Sequence, residues 1–205
     1  MSDLADTVTS ADGLAALYEQ PTERIATKDL DYVNAAGPAF IAASPFLVLA
    51  TGGQQGLDCS PKGDRPGFVE VADDGRTLFI PDRRGNNRID GLKNISEDPR
   101  IALIFFVPGA NETYRVSGRA RISADADLKR RFAVNGKEPV TVVTVEQAFQ
   151  HCPKALMRSN LWKAGSGGRP QSVPTLGDFA AARTPSIDSA ALDEALKEQF
   201  PKELY

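Results

Sequence analysis

The residues best suited to chemistry gather in one stretch, Pro81-Asp82-Arg83-Arg84-Gly85-Asn86-Asn87-Arg88. Arg83, Arg84 and Arg88 bring three guanidinium groups close together in the chain. Arginine offers a planar fork of donors that suits phosphate or carboxylate. The apolar run Leu78-Phe79-Ile80 just before predicts a strand, and Ile89, Leu92 and Ile95 just after recur at helical spacing. Asn86 or Asn87 suits the N-cap of that helix. A helix start presents free N–H groups and partial positive charge, so arginines gathered there predict an anion site. The alternative is a solvated basic turn. A second block, Ser60-Pro61-Lys62-Gly63-Asp64, adds a compact cationic charge at Lys62 and a glycine that lets backbone come close.

Other site chemistries lack their residues. The chain has 205 residues but one histidine and two cysteines, Cys59 and Cys152. Without a CxxC pair or a second cluster, no metal site is expected, and His151 beside Cys152 reads as a packing pair. Cys59 reads as a buried, inert thiol. No Ser-His-Asp set or carboxylate pair stands out, and Asp82 and Asp90 read as turn and cap residues. A dinucleotide fold would need GxGxxG after a strand, which is absent. The net charge of −3 gives no reason to expect nucleic acid, so the local basic cluster suits a small anion. No apolar run reaches the roughly 20 residues that span a bilayer. The polar, acidic first nine residues lack signal-peptide character, so a cytoplasmic protein with free thiols is expected.

The elements that must position these residues follow from periodicity. Residues 1–29 read as an arm with a short helix that Ser10 caps and Pro21 stops. A second helix is expected from Asp29, bending at Gly37-Pro38 and ended by Ser44-Pro45. Strands are expected at 46–51, 68–71, 77–80, 101–107, 113–122 and 140–145, with residues 60–64 a compact loop. In the fifth of these, Arg115, Arg119 and Arg121 read as a solvated strand face. Short helices are expected at 125–132 and around Lys154, with Pro153 in its first turn. Trp162 closes the core region, residues 163–174 read as a Gly/Ser/Pro-rich linker, and residues 189–200 as an amphipathic helix. Six strands, short turns and interspersed helices predict an antiparallel barrel with helical covers, spanning residues 30–162 between the arm and a tail at 163–205.

Four blocks together carry a resemblance. They are Ser60-Pro61-Lys62-Gly63-Asp64, Pro81-Asp82-Arg83-Arg84-Gly85-Asn86-Asn87-Arg88, Phe106-Val107-Pro108-Gly109-Ala110-Asn111-Glu112-Thr113, and His151-Cys152-Pro153-Lys154-Ala155 with Arg158, Ser159 and Trp162. In this order they resemble the pyridoxamine 5'-phosphate oxidase-like flavoproteins, the FMN-binding split β-barrels, and within them a bacterial subgroup with this arginine turn. The resemblance implies a six-stranded split barrel, a homodimer and one FMN in each of two clefts between subunits. It places the FMN phosphate against Ser60, Lys62, Arg83, Asn87 and Arg88. It lays backbone of Asp58, Cys59, Ser60 and Pro61, and of Phe79, Ile80 and Pro81, along the flavin. It brings Trp162 with Lys154 or Arg158 to the flavin of the partner subunit.

The arginine and histidine pair that grips substrate phosphate in pyridoxamine phosphate oxidase itself is missing, which argues against vitamin B6 oxidation. No histidine follows His151, which argues against haem. The implied activity is an FMN-dependent oxidoreductase exchanging hydride with a small molecule, NAD(P)H included. The alternatives are a flavin carrier or sensor without turnover and a deazaflavin (F420)-dependent reductase. Phe105, Phe106 and Tyr114 are expected to supply apolar surface to the two-fold interface.

Overall fold

A computed structural model describes residues 7–54, 56–133, 137–164, 168–170 and 172–203. The first six residues of the expected arm, and parts of the linker at 165–167 and 171, lie outside the described residues. In chain order the elements are α1 (Ala11–Ala15), α2 (Glu23–Ala26), α3 (Gly37–Ala43), β1 (Phe46–Gly53), β2 (Gly56–Gly63), β3 (Glu70–Val71), β4 (Thr77–Pro81), α4 (Asp90–Glu97), β5 (Arg100–Phe106), β6 (Thr113–Ser123), α5 (Ala126–Arg131), β7 (Val140–His151), α6 (Lys154–Ser159), α7 (Leu161–Ala164), α8 (Leu176–Arg183) and α9 (Ser189–Glu203).

The strands form one antiparallel sheet in the order β2-β1-β5-β6-β7-β4-β3. This is the expected split-barrel class with seven strands rather than six. The added strand is β2, expected as a loop because it contains Pro61 and Gly63. It is an edge strand paired only with β1, where proline is tolerated.

The register shows how the sheet curls. Gly63 pairs with Phe46, Phe46 with Phe106, Phe106 with Thr113, and Thr113 with His151. At the far end of β7, Val140 pairs with Pro81 of β4. Yet Lys62, next to Gly63, reaches Asp82, next to Pro81, at 2.6 Å. The edge strand β2 therefore meets the end of β4, beyond its two-residue edge partner β3, with a stagger close to the whole length of β7, as closing a sheet into a barrel demands. They meet through side chains rather than a backbone ladder, which leaves the barrel split.

Alternation along β1, β5 and β6 fills the interior with Leu47, Leu49, Leu103, Phe105, Tyr114 and Val116, all buried. Phe105 is 0% exposed and Tyr114 4%, so neither offers the interface surface expected of it; alternation alone does not say which face of a strand turns inward. β6 carries the expected arginine stripe, with Arg115, Arg119 and Arg121 exposed. β7 continues six residues past the expected end at Val145, across a register shift at Ser117/Gly118 where a Cβ on Gly118 would come 2.0 Å from the Thr144 carbonyl oxygen.

The helix expected from Asp29 is α3 alone. Leu30 instead bridges Ala148, and Asn34 Oδ1 accepts from the N–H groups of Ala36 and Gly37 to open the helix. Pro38 sits in its first turn rather than at a bend, where its missing N–H costs nothing. The expected final helix is α9, and α8, which was not expected, packs against it through Gly177.

Candidate functional site

At the seam between β2 and the end of β4 lies a cleft of about 990 Å³. One wall is β2. Period two sends Asp58, Ser60 and Lys62 to the cleft side, half-buried, and Cys59 to the other face, exposed. Cys59 is thus not the buried thiol expected, and it does not line the cleft. The second wall is the turn after β4, from Asp82 to Ile89, all of it lining the cleft. The third is α4, which lies close on β2 because residue 91 is glycine. A Cβ there would sit 3.3 Å from Asp58 Oδ2 and 3.5 Å from Ser60 Oγ. α4 is pinned by Asn94 Nδ2, which donates to Thr51 Oγ1 at 3.1 Å inside the buried contact. Its buried face is Gly91, Asn94 and Ile95, while Ile89 is exposed, so the expected Ile89, Leu92, Ile95 stripe is only partly turned inward.

The arginines stand differently from expectation. α4 starts at Asp90, and neither asparagine caps it. Asn87 takes a positive φ of 60°, and Asn86 Oδ1 accepts from the Arg88 N–H at 3.0 Å, so both shape the turn instead. The first turn of α4 already carries an anion, the Asp90 carboxylate. The helix start is therefore not the main source of positive potential; the guanidinium groups of the turn are.

Most of the site's cations are held by carboxylates. Lys62 Nζ donates to Asp82 Oδ1 at 2.6 Å, and Arg83 Nε to Asp64 Oδ2 at 2.5 Å. Arg83 Nη1 also donates to the Phe132 carbonyl at 3.1 Å. Arg88 Nε donates to Asp90 Oδ2 at 2.5 Å; this pair holds the Asp90 carboxyl below its ordinary pKa and raises that of Arg88. Ser60 Oγ donates to Asp58 Oδ2 at 2.6 Å. Arg84 is exposed and makes no hydrogen bond or ion pair among the described residues. Six cationic residues line the cleft (Lys62, Arg83, Arg84, Arg88, Lys93, Lys137) against four anionic ones (Asp58, Asp82, Asp90, Glu138), which leaves a positive balance. Pro61, Phe68, Pro81, Ile89, Leu92 and Pro139 add apolar wall.

Of the residues singled out in the sequence, the structure brings together Asp58, Ser60, Pro61, Lys62, Pro81, Arg83, Asn87 and Arg88 around this cleft. Phe79 and Ile80 do not line it: Ile80 is in the barrel core, and Phe79 packs on Phe132 with ring centroids 6.0 Å apart. Lys154, Arg158 and Trp162 lie on α6 and α7 beyond β7 and do not line it either. Trp162 Nε1 donates to the Ala110 carbonyl at 2.6 Å, tying α7 to the β5–β6 turn. Sequence reasoning missed the pairing roles of Asp64, Asp82 and Asp90. The signal was there, since each basic block carries an aspartate within two positions of its cation.

Residues 35–152, more than half of the chain, match the family described as pyridoxamine 5'-phosphate oxidase. The chain belongs to the pyridoxamine 5'-phosphate oxidase family. No curated protein matches it. Among solved structures it is similar to HupZ of Group A Streptococcus, at 21% identity and a TM-score of 0.45, covering 58% of this chain and 93% of that one. It is also similar to a NimC/NimA family protein from Clostridium acetobutylicum, at 14% identity and 0.43, covering 57% and 91%. General stress protein 26 from Bacillus anthracis aligns at 15% identity and 0.41, covering 55% and 88%. Within this family assignment, the model match ends at Cys152, so α6 to α9 lie outside it.

Proposed function

We propose that this chain is an FMN-binding flavoprotein, an oxidoreductase acting on a small molecule, with FMN in the seam cleft. The observation that carries the reading is the meeting of Ser60 and Lys62 from β2 with Arg83, Arg84, Asn87 and Arg88 from the turn after β4 in one cleft, in a chain of this family. The donor set fits a phosphate monoester, which favours several cationic donors and at least one fork-shaped guanidinium. The cleft volume is at the upper end of the roughly 300–1,000 Å³ usual for small-molecule sites.

Bound FMN supplies reversible uptake of one or two electrons, which no side chain here supplies. The chain's own part is binding, orientation and exclusion of water. Arg84 and the free edge of Arg83 hold the phosphate, and Lys62 and Arg88 add charge. Pro61, Pro81 and Leu92 give the planar ring an apolar surface.

The same proposal makes the protein a homodimer in which Trp162, with Lys154 or Arg158, of a second copy covers the flavin.

The purified protein is expected to be yellow and to quench the fluorescence of added FMN. A colourless protein that leaves FMN fluorescence unchanged refutes the reading. Bleaching of the bound flavin by NADH or NADPH without oxygen, and recovery of colour in air, marks turnover. Binding with no bleaching by any reductant marks a carrier or sensor instead.

A further inference from the structure

We infer that Asp64 is a positioning residue, whose carboxylate strengthens phosphate binding by fixing Arg83 despite its own negative charge. The inference rests on the FMN reading and adds to it which residue makes the phosphate site selective. Asp64 is the most buried of the carboxylates paired to the site's cations, with a side chain 6% exposed against 15% for Asp82 and 40% for Asp90. It does not line the cleft; with Arg83 and Phe68 it lines a smaller hollow of about 380 Å³ beside it. Asp64 Oδ2 accepts from Arg83 Nε at 2.5 Å, and the Phe132 carbonyl accepts from Nη1 at 3.1 Å.

Two fixed acceptors on one planar guanidinium set both its position and its plane. The atom left over is Nη2, which makes no hydrogen bond among the described residues. Arg83 thereby loses side-chain freedom on folding rather than on binding, which is the gain that preorganisation brings to a ligand site. Asp64 is held in turn, since its Oδ1 accepts from the Arg65 N–H at 2.7 Å. Arg88 shows the contrast: it too is paired, but its side chain is 79% exposed and its partner belongs to the same turn.

The sign of the effect makes the inference testable. Removing a carboxylate near an anion site strengthens anion binding if charge alone matters. Removing one that orients the binding arginine weakens it. The experiment titrates the full-length protein with FMN and with riboflavin, which lacks the phosphate, following flavin fluorescence. Asp64→Asn is expected to weaken FMN about tenfold, the scale of one well-placed charged hydrogen bond, and to leave riboflavin unchanged. Asp64→Glu is expected to recover part of the loss.

Arg83→Lys keeps the charge but not the planar fork, and guards against poor folding of the Asp64 variant. It is expected to lose the same FMN preference, and combining it with Asp64→Asn to add nothing further. An Asp64→Asn protein that binds FMN as tightly as wild type, or more tightly, overturns the inference while leaving the flavin reading intact. Additive effects of the two substitutions overturn it as well. A wild-type protein that binds neither flavin overturns both.

Discussion

Arg84→Ala isolates the one turn arginine that no carboxylate already holds. Arg84 lines the cleft, is exposed, and has no ion-pair or hydrogen-bond partner among the described residues. A phosphate meeting it gains a new charged hydrogen bond without breaking one. Such bonds contribute about 1.5–3 kcal/mol, and about 1.4 kcal/mol is a tenfold change in affinity. Exposure to solvent puts Arg84 at the low end, so FMN affinity is expected to fall about tenfold on substitution.

Arg88→Ala is expected to cost less, about threefold, because Asp90 already occupies Arg88 Nε and a phosphate must share it. Asp90→Asn frees Arg88 and is expected to tighten FMN by a similar factor. None of the three changes should alter riboflavin binding, and Arg84→Ala should leave thermal stability within about 0.5 kcal/mol of wild type. The assay is paired FMN and riboflavin titration at fixed, low ionic strength, since exposed charges are screened by salt. An Arg84→Ala protein with the wild-type ratio of FMN to riboflavin affinity would refute the placement of phosphate against this turn.

Phe105→Ala removes a side chain with 0% exposure from the barrel interior and is expected to cost about 3–5 kcal/mol in urea unfolding; a loss under about 1 kcal/mol would contradict the core position. Burial, with Lys28 and Arg115 beside it, holds the His151 pKa below its ordinary value of 6.5. Protons then bind the unfolded chain more readily, so the contribution of His151 is present above pH 6.5 and lost as pH falls through the lower folded value. His151→Gln should flatten that part of the melting-temperature curve below about pH 6.5, and parallel curves would exclude it. Trp162 is the only tryptophan, so its emission reports on α7 alone. If a second copy brings it to the flavin, added FMN should quench it in a species of dimer mass by light scattering, and unquenched emission with FMN bound would rule that contact out.

The sequence disclosed most where one physical signal dominates. β5 showed an unbroken apolar run and β6 its period, and the two basic blocks, read as one anion site, line one cleft. β2 stayed hidden because an edge strand with one neighbour needs neither an apolar run nor an unbroken set of N–H donors, so Pro61 and Gly63 were misleading. The asparagine caps failed because Asn86 and Asn87 spend their turn-forming capacity before the helix begins. α8 had a readable start, since Thr175 and Asp178 form a full capping box, but its apolar residues are spread around the helix and Leu176 and Phe179 remain exposed. Arg84 and Arg88 look alike in the sequence. Only the structure shows that Asp90 holds Arg88 and that Arg84 has no partner among the described residues.

The two pairs at the seam join the making of the fold to the making of the site. Among the described residues no backbone ladder runs between β2 and β4, so where they meet the contact is made by charged side chains. With Lys62 on Asp82 and Asp64 on Arg83, both contacts attract. A slide that carried Lys62 to Arg83 would break both pairs and set two cations together, which specifies against that register. The observed register sets Lys62 of β2 and Arg83 after β4 on one cleft. A phosphate bound between them adds an attraction across the split, so binding should protect the amides of β2 and β4 from hydrogen exchange more than those of β5, which already lies within the ladder.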